Sequence, residues 1–142
     1  SRIADGTLLR ATYFRRLDCD AALDVRDSNA EFVAEWVREF ERVGQRWAAA
    51  AVAAEARGVA EDIRRESFLA VSRATRQHEI ASYVSDDFDL IVRGRLIGAA
   101  GGLLGQLWTV YDRGEFPQPP LGTGRDAEPF SWPTDLSENE NP

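Results

Sequence analysis

Apolar residues are most concentrated between positions 86 and 113. Four glycines in this stretch are spaced by four, three and four residues, which places them along one side of a helix. The other sides are also apolar, so the pattern predicts one helix over 86–113 in the middle of a helical core, with Ser85 as N-cap and Gly114 as the stop signal. A break near Gly101 and Gly102 is the alternative, because glycine disfavours helix interiors. The four glycines are a predicted close-packing surface: Gly94, Gly98, Gly101 and Gly105.

A second apolar series follows a helix-start signal. Ser28 and Glu31 form the Ser-x-x-Glu pattern of a capping box. Apolar residues then recur every three or four positions, which predicts an amphipathic helix from Asn29 to about Arg57. The large aromatic residues of this series are candidate partner-binding residues: Trp36, Phe40 and Trp47.

Weaker patterns predict the secondary structure of the rest of the first 114 residues. Gly58 separates the second helix from a further helix predicted over about 59–83. Residues 7–25 alternate between apolar and polar side chains, which favours short extended segments over a helix from about 6 to 23. The predicted fold is an all-α bundle of three long antiparallel helices with an irregular or partly extended N-terminal segment.

The composition changes after Gly114, since all six prolines lie at position 117 or beyond. Proline excludes long helices, so we divide the chain into a helical bundle domain over 1–114 and a Pro-rich acidic tail or arm over 115–142. The tail also carries Phe130 and Trp132, which are further candidate partner-binding residues because a purely disordered linker avoids large aromatic side chains.

Charge and composition narrow the class of partner. Residues 115–142 carry six acidic residues and one arginine, so −5 of the formal net charge of −7 lies in the tail. The bundle is close to neutral, which argues against a nucleic-acid partner. The lone Cys19 excludes an intrachain disulfide and fits a reducing compartment. No signal-peptide pattern opens the chain, and the longest stretch without a charged residue, 96–111, is shorter than the roughly 20 residues of a membrane span. These features and an arginine-rich, lysine-free composition favour a bacterial cytoplasmic protein without a membrane partner.

Few residue patterns indicate a metal or a cofactor. A single histidine and a single cysteine exclude a structural zinc site, and the glycine spacing matches no phosphate-binding loop. Asp18 and Asp20 could contribute to a Mg²⁺ site. A row of glutamates on the helix predicted from Asn29 to about Arg57 could contribute to a di-metal site. A solvent-facing role is favoured for both, so no metal and no cofactor is expected. The row consists of Glu31, Glu35 and Glu39.

One pattern resembles a known family of enzymes. Arg73 and His78 are separated by four residues, which resembles the signature that HEPN ribonucleases, small all-α domains, carry on a long helix. The resemblance implies RNA cleavage by Arg73 and His78 at a site formed where two copies dimerise. The other interpretation places His78 in an apolar stripe with Ala74 and Ala81, as a partly buried core residue.

The absence of a catalytic constellation in the sequence favours a protein that works without catalysis. We predict a protein-binding or assembly module that acts through its helix faces and its C-terminal arm, as a homo-oligomer, with a homodimer as the expected form. A HEPN-like ribonuclease that uses Arg73 and His78 is one alternative. A small-ligand binder at the glycine-rich helix is the other.

Overall fold

A computed structural model describes residues 2–121, and all of the regular secondary structure in that range is helical. The prediction of an all-α chain is therefore confirmed for these residues. The prediction of three long helices is wrong, because the described range contains six. They are α1 (Ala11–Arg16), α2 (Cys19–Ser28), α3 (Ala30–Ala49), α4 (Ala54–Thr75), α5 (His78–Leu96) and α6 (Gly102–Asp112).

Residues 2–10 are irregular, but α1 and α2 occupy most of residues 11–28, so the prediction of extended segments over 7–25 is wrong. Asp18 caps α2, since its carboxylate accepts a hydrogen bond from the backbone N–H of Ala21 at 3.1 Å. The buried side chains of α2 are spaced by three or four residues, which a period-two reading of the same stretch overlooks. They are Cys19, Ala22, Leu23 and Arg26.

The helix predicted over 29–57 begins as expected but ends early. Asn29 rather than Ser28 is the N-cap, and its side chain accepts a hydrogen bond from the N–H of Phe32 at 2.9 Å. The helix ends at Ala49, and residues 50–53 are irregular before α4 begins at Ala54. Helices in proteins are stabilised mainly by packing of an apolar face, and the small side chains of this alanine-rich run provide little of it.

The helix predicted over 59–83 is divided between α4 and α5. Gly58 lies inside α4, while Arg76 adopts a left-handed conformation, with φ 58° and ψ 25°, and ends that helix. The Thr75 hydroxyl donates to the Val71 carbonyl at 2.8 Å and accepts from the N–H of Gln77 at 3.0 Å. The Thr75 side chain thus provides hydrogen-bond partners for backbone groups at the end of the helix.

The helix predicted over 86–113 is also divided, into the second half of α5 and α6. Ser85 lies inside α5, where its hydroxyl donates to the Ser82 carbonyl, so its prediction as an N-cap is wrong. Gly98 has φ +69° in the turn after α5, and α6 begins at Gly102, close to the alternative break point. Gly114, with φ +89°, follows the end of α6 as predicted.

Helix α5 is the central element. It packs against α3, α4 and α6, while α1 packs on α4 and α2 packs on α3. Gly94 of α5 allows close approach to α6, since a Cβ added there would overlap the Cδ2 of Leu104. A Cβ at Gly98 or Gly101 would meet nothing within 4 Å, so overpacking is not expected at those two positions.

The chain after α6 returns to the helical core. Phe116 is 2% exposed, and its backbone N–H donates to the Tyr13 hydroxyl at 3.0 Å. The start of the proline-containing segment is thereby fixed against α1, whereas Phe130 and Trp132 lie outside the described residues. None of the described helices combines the length and the apolar character that crossing a membrane requires.

Candidate partner-binding site

A buried carboxylate, Asp87, connects four helices. The guanidinium of Arg26 donates to both of its oxygens, with Nη1–Oδ2 at 2.7 Å and Nη2–Oδ1 at 3.0 Å. Trp36 donates from Nε1 to Oδ1 at 2.9 Å, and the Tyr111 hydroxyl donates to Oδ2 at 2.6 Å. Asp87 is fully buried, so these four hydrogen bonds replace the contacts that water would make with its carboxylate oxygens. They also connect α5 to α2, α3 and α6.

The ionisation of this cluster follows from its burial. Burial by itself lowers the pKa of Arg26, but the neighbouring Asp87 carboxylate outweighs it, so the pKa of Arg26 is raised. Burial raises the pKa of Tyr111 well above its usual value, and the charge of Asp87 adds to that shift. Arg26 is therefore charged and Tyr111 neutral at physiological pH.

Three aromatic rings surround the Arg26 guanidinium. Its Cζ lies 4.9 Å from the centre of the Phe32 ring, 5.4 Å from that of Tyr83 and 5.1 Å from that of Phe116. Such contacts stabilise a desolvated cation. They also place Phe32 and Tyr83 beside the buried ion pair, at the point where the interior opens toward the surface.

The predicted partner-binding residues of α3 share one face of the domain. The rings of Trp36 and Phe40 stack at 5.3 Å with an interplanar angle of 14°. The guanidinium of Arg93 lies 5.8 Å from the Phe40 ring and 5.9 Å from the Trp47 ring. Phe40 is 44% exposed, and two valines extend the apolar surface along the helix. We call this surface the α3 face: Val33, Trp36, Val37, Phe40 and Trp47.

The α3 face forms one wall of a groove. Helices α3 and α4 both pack on α5, and the space bounded by the three helices has a volume of about 560 Å³. Two ion pairs lie along it, Asp89–Arg93 at 3.0 Å and Asp86–Arg64 at 3.7 Å. Burial raises the pKa of both carboxyl groups, against the opposing effect of the neighbouring arginines. The lining residues are Trp36, Phe40, Trp47, Glu61, Arg64, Asp86, Asp89 and Arg93.

A smaller cavity of about 190 Å³ adjoins the groove and shares Trp36 and Asp86 with it. The Tyr83 hydroxyl at its rim donates to Asp27 at 2.7 Å. This hydrogen bond, together with burial, raises the pKa of Tyr83 to about 12. The cavity is lined by Arg26, Asp27, Phe32, Val33, Trp36, Val37, Tyr83 and Asp86.

The residues of the HEPN-like pattern do not lie on one helix. Arg73 is in the last turn of α4, and His78 is the first residue of α5. His78 is exposed, with its ring 5.8 Å from that of Phe68, so its interpretation as a partly buried core residue is wrong. The spacing that resembles the HEPN signature therefore spans a helix break.

Two residues of the acidic motifs, Asp18 and Glu39, have local structural roles. Asp18 is the N-cap of α2, and Glu39 forms an ion pair with Arg42 at 2.6 Å. Arg42 also donates to the Ala99 carbonyl at 2.7 Å, which attaches α3 to the turn that contains Gly98. Within residues 2–121, no group of three or more histidine, cysteine, aspartate or glutamate side chains is arranged to hold a metal ion.

The sequence pattern did not indicate the buried cluster, since a helix over 86–113 with Ser85 as its N-cap places Asp87 in the first turn, where a carboxylate suits the helix dipole. A signal was nevertheless available. Asp87 lies three residues after Val84 and four before Ile91, on the same apolar stripe of a helix, and Arg26 lies on the apolar stripe of α2. Two opposite charges on apolar stripes of different helices indicate a buried pair.

Over residues 2–121 the chain is thus an all-helical protein with an aromatic and charged groove, the type of surface that protein-binding modules present. Residues 1–118 match the family described as Immunity protein PIM1. The chain belongs to this immunity protein family, which indicates a role in protein interaction. Neither a curated protein nor a solved structure matches the chain.

Proposed function

We propose that this chain is an immunity protein that binds a toxin protein and blocks it without catalysis, and that the α3 face and the adjoining groove are its binding surface. The family match supports the role, and the clustering of Trp36, Phe40 and Trp47 on one accessible face supports the surface. Complexes between nuclease toxins and their immunity proteins are among the tightest known, so a well-packed binding surface is required.

The observation that carries the assignment of the surface is the stack of the partly buried Trp36 on the exposed Phe40, flanked by Arg93. Energetic hot spots of protein interfaces are enriched in tryptophan, tyrosine and arginine and lie in pockets that exclude water. The groove brings tryptophan, phenylalanine and arginine side chains together, and two ion pairs lie beside them.

The test needs a toxin protein from a gene next to that of this chain, purified as an inactive variant. Calorimetry should show tight binding to the wild-type chain and a loss of about 30-fold or more for Phe40→Ala, which corresponds to about 2 kcal/mol. Leu96→Ala is the matched control, since Leu96 is 36% exposed near the end of α5 and does not line the groove. Its affinity should stay within about twofold of wild type.

Two outcomes separate the parts of this proposal. If the wild-type chain does not bind the toxin, and does not restore growth of cells that express the active toxin, the immunity role is refuted for that pair. If the toxin binds Phe40→Ala and Trp47→Ala as tightly as wild type, the immunity role stands and the α3 face is not the binding surface.

The proposal includes the C-terminal arm as a second binding element, supported by the aromatic residues in its acidic, proline-rich sequence. A chain that ends after Leu121 removes Phe130 and Trp132 while it keeps the contacts of Phe116. We expect this shortened chain to keep its thermal stability and to bind the toxin more weakly. Unchanged affinity would remove the arm from the proposal.

We further propose that the free protein is a cytoplasmic homo-oligomer that associates through the α3 face. Val33, Val37 and Phe40 are each more than a third exposed, and a second copy could cover them. Sedimentation at high micromolar concentration should show a dimer or a larger species that Phe40→Ala shifts toward monomer. A wild-type monomer at that concentration would refute self-association.

A further inference from the structure

We propose that the 190 Å³ cavity between α2, α3 and α5 receives the guanidinium group of an arginine on the toxin's surface. This inference rests on the proposed function and names the chemistry of the partner. Pockets for drug-sized ligands have volumes of about 300–1,000 Å³. The cavity is smaller than that range, which suits one side chain of a protein partner.

The lining of the cavity matches a planar cation. Trp36 and Tyr83 supply aromatic surface, and Asp27 and Asp86 supply carboxylates. A guanidinium stacks on aromatic rings and pairs with carboxylates through a planar set of N–H donors, whereas an ammonium group is a compact, strongly hydrated charge. Aromatic walls with carboxylates beside them therefore favour arginine.

The charge balance in the cavity is also complementary to a cation. Arg26 is the only cation among the lining residues, and its charge is matched by the two hydrogen bonds to Asp87. Asp27 forms no salt bridge with any residue in the range 2–121, and the Asp86–Arg64 pair is long, at 3.7 Å, and half-exposed. Asp27 is thus available to an incoming cation, whereas Asp86 would share its carboxylate with Arg64.

A buried donor in the same lining has no acceptor. Among the atoms of residues 2–121, the Nε–H of Arg26 lacks a hydrogen-bond partner, although Arg26 is only 4% exposed. Leaving a buried donor unsatisfied is costly, and such groups are rare in folded proteins. A backbone carbonyl of the segment that carries the arginine would reach this donor only after one of the rings around Arg26 moves, because the Nε atom is buried.

A small probe tests the cavity without the toxin. Nα-acetyl-arginine methylamide is titrated into the ¹⁵N-labelled protein, and the indole N–H signal of Trp36 is followed by NMR. We expect a saturable shift at millimolar concentration with this probe, and none with the citrulline analogue, which has the same shape but no charge. Equal shifts with both compounds, or with the lysine analogue, would overturn the assignment to arginine.

Variants then connect the shift to the two carboxylates. Asp27→Asn and Asp86→Asn should each weaken probe binding about tenfold, which corresponds to one lost charge-assisted interaction of about 1.4 kcal/mol. Asp62→Asn is the matched control, because Asp62 is an exposed carboxylate of α4 outside the cavity. Both cavity carboxylates are at least partly exposed, so the variants can be compared as folded proteins once circular dichroism confirms their helix content.

The same variants distinguish this inference from the proposed function. If the toxin binds the wild type and both aspartate variants equally, the arginine pocket is refuted while the immunity role stands. If the toxin does not bind the wild type, the immunity role fails whatever the probe shows. A loss of about tenfold in toxin affinity for Asp27→Asn and Asp86→Asn, with Asp62→Asn unchanged, supports the pocket.

Discussion

Arg26 and Asp87 are 61 residues apart in the sequence and form a two-pronged ion pair in the interior of the domain. Arg26 is on α2 and Asp87 is on the central helix α5. The pair joins an early helix to the core, and the hydrogen bonds from Trp36 and Tyr111 extend the connection to α3 and α6. It also positions Trp36, one of the residues that line both the groove and the cavity.

Asp87→Asn should destabilise the fold strongly, because it leaves the buried charge of Arg26 without its partner. Removing one member of a buried pair costs about 3–5 kcal/mol. The control is Asp62→Asn, whose partner Arg65 is 70% exposed, and exposed pairs contribute about 0–1 kcal/mol. Urea unfolding monitored by circular dichroism measures both values. If the two variants lose similar amounts of unfolding free energy, Asp87 does not stabilise the fold as the partner of a buried charge.

Phe116→Ala should destabilise the domain by about 3–5 kcal/mol, the range for truncating a buried phenylalanine. The ring is 2% exposed and lies 5.1 Å from the Arg26 guanidinium, so its removal opens the interior beside the ion pair. Glu115→Ala, at the exposed neighbouring position, should change stability by no more than about 0.5 kcal/mol. An equally small effect of Phe116→Ala would mean that the segment after α6 adds nothing to the core.

Gly94→Ala and Gly58→Ala should change stability in opposite directions. The methyl group at Gly94 would overlap Leu104 of α6, and overpacking a core costs about 1–3 kcal/mol. Gly58 lies inside α4 with nothing within 4 Å of an added Cβ, so alanine there should stabilise the helix by about 0.5–1 kcal/mol. Thermal unfolding of both variants shows whether the melting temperature rises or falls relative to the wild type. A stabilised Gly94→Ala would contradict the close approach of α5 and α6.

The tyrosines of the folded protein should not ionise at their usual pKa near 10. The pKa values of Tyr13 and Tyr111 are raised mainly by burial, and that of Tyr83 is raised to about 12 mainly by its hydrogen bond to Asp27. The stabilisation from Tyr83 is therefore fully present below pH 10 and is lost as the pH rises through about 12. Absorbance at 295 nm follows tyrosinate formation.

The matched variant for this titration is Asp27→Asn, which removes the carboxylate that accepts the Tyr83 hydroxyl. One tyrosine should then ionise at a lower pH than in the wild type, while Tyr13 and Tyr111 are unaffected. If the wild-type protein, still folded, shows all three tyrosines titrating near pH 10, the hydrogen bond between Tyr83 and Asp27 is refuted.

The aromatic part of the candidate site could be predicted from the sequence. Trp36, Phe40 and Trp47 recur at helical spacing, and α3 presents them on one face. The carboxylates beside them could not be predicted, because Asp27 and Asp86 come from α2 and α5 and reach the cavity only through packing. The end of α3 at Ala49 and the end of α5 at Leu96 were also not predicted, since the apolar spacing continues without a change across both breaks.

Capping residues, glycine stops and apolar spacing act within a few residues, so the helical class, the start of α3 and the stop at Gly114 follow from local sequence alone. Tertiary structure decided where α3, α4 and α5 end, and it converted Asp87 from an apparent helix-start residue into the centre of the core. The physical reason is that a charge enters the interior only when partners from distant segments arrive with it. Arg26, Trp36 and Tyr111 meet Asp87 only after four helices have packed together.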